Sequence, residues 1–171
     1  MKEFSELFHD LDGMTKTGDR IARLVAYFRK TSVEDAGWAS WFLAGNRIKG
    51  AVRTGELRRW AALRASLPLW LLEESYERVG DLAETLSLLV RGNENAQAIN
   101  LSTVVEEGLL PLVSADPLEK RQILLGMWDR LRPMDLLPFH KLLTGGFRIG
   151  VSRGNLCKAL AEVGGVDPPV I

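Results

Sequence analysis

The chain has 171 residues, 46% of them hydrophobic, and balances 22 cations against 22 acids for a net charge of zero. That is enough chain and apolar surface for one domain with a radius of gyration of about 15–16 Å if compact, whereas an indiscriminate nucleic-acid binder usually has a pI above about 9. No run approaches the ~18 uncharged apolar residues of a membrane span, residues 1–6 carry acids and no apolar h-region of a signal peptide, and a lone Cys157 cannot form an internal disulfide, so a cytoplasmic protein without membrane contact is expected.

Helical periodicity dominates from the first elements onward. Ile21, Leu24, Val25 and Phe28 fall at i, i+3, i+4 and i+7, a buried stripe that puts Arg20, Arg23, Tyr27 and Lys30 on the other side, with Thr17 as N-cap. Ser32 caps the next helix, Asp35 favours its positive end, and Trp38, Trp41 and Phe42 carry it to a stop near Gly45. Residues 45–53 are looser and cationic, after which Thr54 caps a helix through Leu57, Trp60 and Leu63. Pro68 starts a helix with Trp70 and Leu71, and Gly80 interrupts it. Asp81 and Glu84 then form a capping box ahead of the stripe Leu82, Leu86, Leu89 and Val90. Residues 91–100 read as a polar loop and 102–112 as a short helix. Asp116-Pro117 starts a longer helix with Ile123, Leu124, Met127, Trp128 and Leu131. Pro138 begins another that ends at Thr144-Gly145, and Ser152 caps the last, with Leu156, Ala159, Leu160 and Val163 buried. The expectation is an all-α, single compact multi-helix domain of about ten helices over residues 1–171, monomeric. Asp167-Pro168-Pro169-Val170-Ile171 reads as a place where a longer chain was cut.

Catalytic constellations do not assemble from these residues. Gly145 and Gly150 have the G-x-x-x-x-G spacing of a P-loop, but Val151 stands where its lysine belongs, and the segment follows a helix rather than a strand. Glu74, Glu77, Asp81 and Glu84 share a helical face, yet no histidine joins them and Gly80 breaks the helix, so a solvated acidic face is expected rather than a metal site. His9 and His140 lack a serine or cysteine partner at motif spacing and read as structural. Cys157 reads as a small buried hydrophobe, and the five tryptophans as core. No catalytic residue, metal or cofactor is expected in this chain.

Charge is segregated instead. Residues 47–64 hold Arg47, Lys49, Arg53, Arg58, Arg59 and Arg64 against Glu56 alone, a local +5, and residues 14–33 carry a local +4. From 136 to 161 there is no acid at all, and residues 141–152 place three glycines and two cations before a helix start. Glycine turns let backbone N–H groups approach an anion, and a helix N-terminus adds partial positive charge. Cationic turns recur beside helix starts at Lys16-Thr17, at Arg53-Thr54 and from Arg148 to Ser152. Hydroxyls and amides at such places position phosphates without reading bases. The backbone of double-stranded DNA is therefore the expected partner. A helical protein-interaction module, using the acidic 73–84 face or exposed tryptophans, is the alternative.

Three segments carry a family resemblance. Thr15-Lys16-Thr17 with Arg20, then Glu73-Glu74-Ser75-Tyr76-Glu77-Arg78-Val79-Gly80-Asp81-Leu82-Ala83-Glu84-Thr85, then Lys141-Leu142-Leu143-Thr144-Gly145-Gly146-Phe147-Arg148-Ile149-Gly150-Val151-Ser152, resemble in order the signatures of the N-terminal DNA-binding domain of bacterial ATP-dependent DNA ligases. The likeness covers essentially the whole chain. It implies an all-helical domain that grips nicked or intact duplex DNA along the minor groove by its backbone. Beside it, a nucleotidyltransferase domain and an OB-fold of the same polypeptide use ATP and Mg²⁺ to seal nicks in repair or replication. The family's Lys-x-Asp-Gly motif has no match among the seven lysines, so this stretch alone is not expected to ligate. Carried over by motif, Lys16, Thr17, Arg20, Gly80, Lys141, Thr144, Gly145, Gly146, Arg148, Gly150 and Ser152 are the expected DNA-facing positions. The cationic segment adds Arg47, Lys49 and Arg53.

Overall fold

Capping chemistry sets most of the helix boundaries. The computed structural model describes residues 1–147 and 149–167. Its helices are α1 (Lys2–Gly13), α2 (Thr17–Phe28), α3 (Val33–Leu43), α4 (Thr54–Arg64), α5 (Leu69–Val79), α6 (Leu82–Leu89), α7 (Leu101–Thr103), α8 (Pro117–Arg130), α9 (Pro133–Thr144) and α10 (Arg153–Gly164). A π-helical segment Val104–Leu109 and a 3₁₀ turn Pro111–Val113 lie between α7 and α8. No strand occurs among the described residues, in line with the all-α expectation. The reading of residues 168–171 as a cut end lies outside the described residues.

Ser32, Asp81, Asp116 and Ser152 each accept the backbone N–H three residues on, at 3.0–3.2 Å, contacts worth about 1 kcal/mol apiece. Thr17 and Thr54 are instead the first helical residues. Their N-caps are Lys16 and Arg53, whose side chains cannot accept, so those two helix starts keep free backbone donors. The described chain divides into two compact units, one made of Met1–Asn46, Asn100–Ser102 and Phe147–Ile171, the other of Arg47–Ile99 and Thr103–Gly146.

In the first unit, Phe4, Leu7, Phe8 and Leu11 form the buried stripe of α1, a helix absent from the expected elements. Phe147 joins them, stacked on Phe4 at 5.3 Å and tilted against Phe8 at 5.5 Å. Burial of each such ring contributes on the order of 2–3 kcal/mol. Tyr27, expected outside, is buried instead and meets Phe4 edge-on at 6.4 Å. The burial pushes its phenol up from the ordinary value. On α10, Leu156 and Ala159 are buried as expected, but Leu160 and Val163 are exposed, Ala161 takes the inner position and Cys157 is half-buried. Asp35 does more than favour its own helix. Its buried carboxylate accepts from Leu101 N at 3.0 Å and Ser102 N at 2.8 Å, the first N–H groups of α7.

In the second unit, the capping box expected at α6 forms only in half, because Glu84 bonds Lys141 Nζ at 3.3 Å instead of reaching back to the Asp81 amide. A complete box forms at α8, between Asp116 and Glu119. Pro138 does not begin a helix. α9 starts at Pro133, whose missing N–H costs nothing at the first position, and buried Pro138 sits inside it. Within the π segment, a Cβ on Gly108 would come within 2.6 Å of Met127 Sδ, so glycine lets α8 pack this closely without that side chain moving. Leu110 N then bonds Val105 O, five residues back.

A relay of polar groups ties three helices of this unit together. Trp128 Nε1, a donor only, bonds His140 Nε2 at 2.9 Å. The imidazole proton therefore sits on Nδ1, which donates to Ser87 Oγ at 2.9 Å. The Ser87 hydroxyl in turn donates to Ala83 O at 2.6 Å. His140 is structural, as expected, and complete burial pushes its pKa down to about 3. The tryptophans are less uniform than expected. Trp128 is fully buried, Trp38, Trp41 and Trp60 are half-buried, and Trp70 is 66% exposed.

Candidate nucleic-acid interface

The second unit holds a groove of about 490 Å³ where the loop before α4 passes the end of α9. Arg47, Lys49 and Gly50 line it from the loop, Thr54 from the start of α4, and Thr144 and Gly145 from the end of α9. No carboxylate is among its lining residues. Gly145 closes α9 in the left-handed conformation, φ 73°, and a Cβ there would meet Arg47 Cδ at 3.2 Å. The left-handed backbone favours glycine here, and its missing Cβ lets the arginine lie close across it.

The +5 segment separates by role. Arg58 pairs with Glu73 at 3.5 Å and Arg64 with Asp129. Arg47, Lys49, Arg53 and Arg59 have no ion-pair partner among the described residues. The groove therefore keeps two cations uncompensated, whereas Arg58, Arg64, Arg78, Arg130, Arg132 and Lys141 of the same unit are paired with carboxylates.

Lys141 is one of those so paired. Its ammonium bonds Asp81 Oδ2 at 2.7 Å and Glu84 Oε1 at 3.3 Å, with the side chain only 13% exposed. Burial opposes its charge, but these carboxylates outweigh that and raise its pKa. Burial likewise opposes the Asp81 charge, and the hydrogen bonds from Lys141 and Glu84 N win, lowering its pKa. Lys141 thus bridges α9 to the start of α6. With Asp81 partly solvated, the contact is worth no more than about 1 kcal/mol. Gly80 ends α5 with φ 79°, an exposed joint, and lies outside the groove's lining. Tyr76 and Leu82, either side of it, line the groove. Neither is among the expected positions, although both stand in the motif around Gly80.

In the first unit the expected residues gather at one end of a helix pair. Arg20 Nη1 donates to Gly150 O at 2.9 Å near the starts of α2 and α10, and Arg29 meets Glu162 at 3.5 Å near their ends. The two helices therefore run parallel, with both positive dipole ends side by side. Lys16 and Thr17 are exposed there, Ser152 caps α10, and no acid occupies the first turn of α10, although Asp19 stands in that of α2. Arg20 is less free than expected. Its Nε also bonds Met14 O at 3.0 Å, so it joins two backbone loops. A Cβ on Gly150, φ 64°, would come within 2.8 Å of its guanidinium. Gly146 is exposed at the boundary of the second unit, and Arg148 lies outside the described residues.

The described residues contain no group of three His, Cys, Asp or Glu placed to hold a metal, and no helix long and apolar enough to cross a membrane. What they define is an all-helical domain with uncompensated cations, hydroxyls and glycine turns at two surfaces. Residues 1–161 match the family described as DNA ligase N terminus, and the chain belongs to it, the N-terminal domain of ATP-dependent DNA ligases. No curated protein matches the chain.

Proposed function

We propose that this chain is the DNA-binding domain of a bacterial, cytoplasmic ATP-dependent DNA ligase. It holds nicked or intact duplex DNA by its phosphates along the minor groove, without reading bases. The observation that carries the reading is the carboxylate-free groove in which Arg47 and Lys49, without an ion-pair partner among the described residues, stand beside Thr144 and Gly145. The paired starts of α2 and α10, with Lys16 and Thr17 exposed, support a second phosphate contact. Cations, hydroxyls and amides of this kind fix a duplex in place but carry no sequence information. This chain carries no Lys-x-Asp-Gly, so the use of ATP and Mg²⁺ is assigned elsewhere in the polypeptide. They act in the nucleotidyltransferase and OB-fold domains of the same polypeptide, and the domain itself is a monomer.

The interaction-module alternative is weakened because Glu73, Glu74, Asp81 and Glu84 of the acidic face are already ion-paired within the unit. Exposed Trp70 is what favours it. Duplexes of unrelated sequence and equal length are expected to bind within about twofold of one another, since backbone contacts carry none of the ~1–3 kcal/mol per base pair of direct readout. Fluorescence anisotropy checks this. A preference above tenfold for one sequence, or retention of a protein partner at high salt with no DNA binding, contradicts the reading.

A further inference from the structure

We infer that Tyr76 is a further DNA-contacting residue, donating its phenolic hydrogen to a non-bridging phosphate oxygen in the groove of the second unit; this rests on the proposed function of that groove. Tyr76 stands in the last turn of α5, and its carbonyl accepts from Gly80 N at 2.8 Å, the bond that closes the helix on a left-handed glycine. That closure leaves Tyr76 half-buried in the groove wall beside Leu57, Leu82 and Leu143.

The hydroxyl-bearing residues lining the groove differ in what they have left to give. Thr144 Oγ1 already donates to His140 O at 2.8 Å. The hydroxyls of Tyr76 and Thr54 have no partner among the described residues. Arg47 and Lys49 bring charge on long, rotatable stems, which hold an anion without fixing its place. A phenol has two side-chain torsions and a rigid ring, so it fixes position at small entropic cost. Its bond to a phosphate is charge-assisted, yet it neutralises no charge and releases no counterion. Affinity and salt dependence therefore separate at this residue.

The test uses the full chain with a fluorescein-labelled nicked duplex, comparing Tyr76→Phe and Arg47→Ala with the parent. Tyr76→Phe is expected to weaken binding about tenfold, with the slope of log K on log salt and the melting temperature unchanged. Arg47→Ala is expected to lower that slope by about 0.9. A Tyr76→Phe protein that binds within twofold of the parent overturns the inference. So does a loss that comes with a changed slope or a lowered melting temperature. If Arg47→Ala lowers the slope while Tyr76→Phe is silent, the inference falls alone. A parent that shows no salt-dependent binding removes the functional reading along with it.

Discussion

Binding to any duplex is expected to weaken several hundredfold as salt rises from about 50 to about 200 mM. Of the several cations without an ion-pair partner among the described residues, those at the expected DNA-facing positions set the count. Lys16, Arg47, Lys49 and Arg53 have no ion-pair partner among the described residues, and the family motif adds Arg148. Arg20 and Lys141 are not counted, because one is bonded to backbone carbonyls and the other to two carboxylates. With about five phosphates neutralised, log K falls against log salt with a slope of about −4.5, and a fourfold rise in salt multiplies the dissociation constant by roughly 500. Anisotropy of a labelled duplex across that range reads the slope directly. A flat response means that hydrophobic or base-edge contacts carry the affinity. A net charge of zero does not oppose this expectation, since counterion release is counted over the phosphates touched and not over the whole chain.

The largest effect on stability is expected at Trp128. This ring is fully buried in the second unit, and its indole N–H is the donor that keeps His140 in one tautomer. Trp128→Ala removes the ring and leaves His140 Nε2 buried without a partner, so a loss of about 3–5 kcal/mol is expected, with the unpaired nitrogen pushing toward the upper end. Domains of this size have only about 5–15 kcal/mol in total. Urea unfolding followed by circular dichroism measures it, and a loss below about 1 kcal/mol would show that the relay is not what holds α6, α8 and α9. The same relay gives the protein an acid limb. The folded imidazole stays neutral down to about pH 3, whereas the unfolded one takes up a proton below about 6.5. The unfolded state thus binds more protons in that window, and this contribution to stability is full above about pH 6.5. It falls as pH drops toward 3, by up to about 1.4 kcal/mol per unit.

What could be read from the sequence was local. Ser32, Asp116 and Ser152 were legible as helix starts because a cap and the amide it satisfies lie three residues apart. Gly80 and Gly145 were legible as ends because each adopts the left-handed backbone that glycine favours. Pro138 misleads, since proline marks a helix start only where no N–H is needed, and burial holds it inside α9 here. The stripe of α1 was present in Phe4, Leu7, Phe8 and Leu11, but flanking acids make that segment read as a polar terminus. Roles set by partners distant in the chain were not legible. Asp35 meets Leu101, Lys141 meets Asp81, and Arg20 meets Gly150, pairs that no spacing rule connects. The same distance hides Tyr76, which shares a groove with Arg47 and Thr144 only once the helices of this unit are assembled.

The proposed grip on phosphates by the second unit's groove is tested most directly by the double variant Arg47→Ala, Lys49→Ala in a salt titration of duplex binding. Both side chains are exposed, so the variant is expected to unfold like the parent. Its affinity should drop equally for unrelated sequences, and the slope of log K on log salt should shrink in magnitude by about 1.8. A variant that binds with the parent's affinity and the parent's slope would contradict the account.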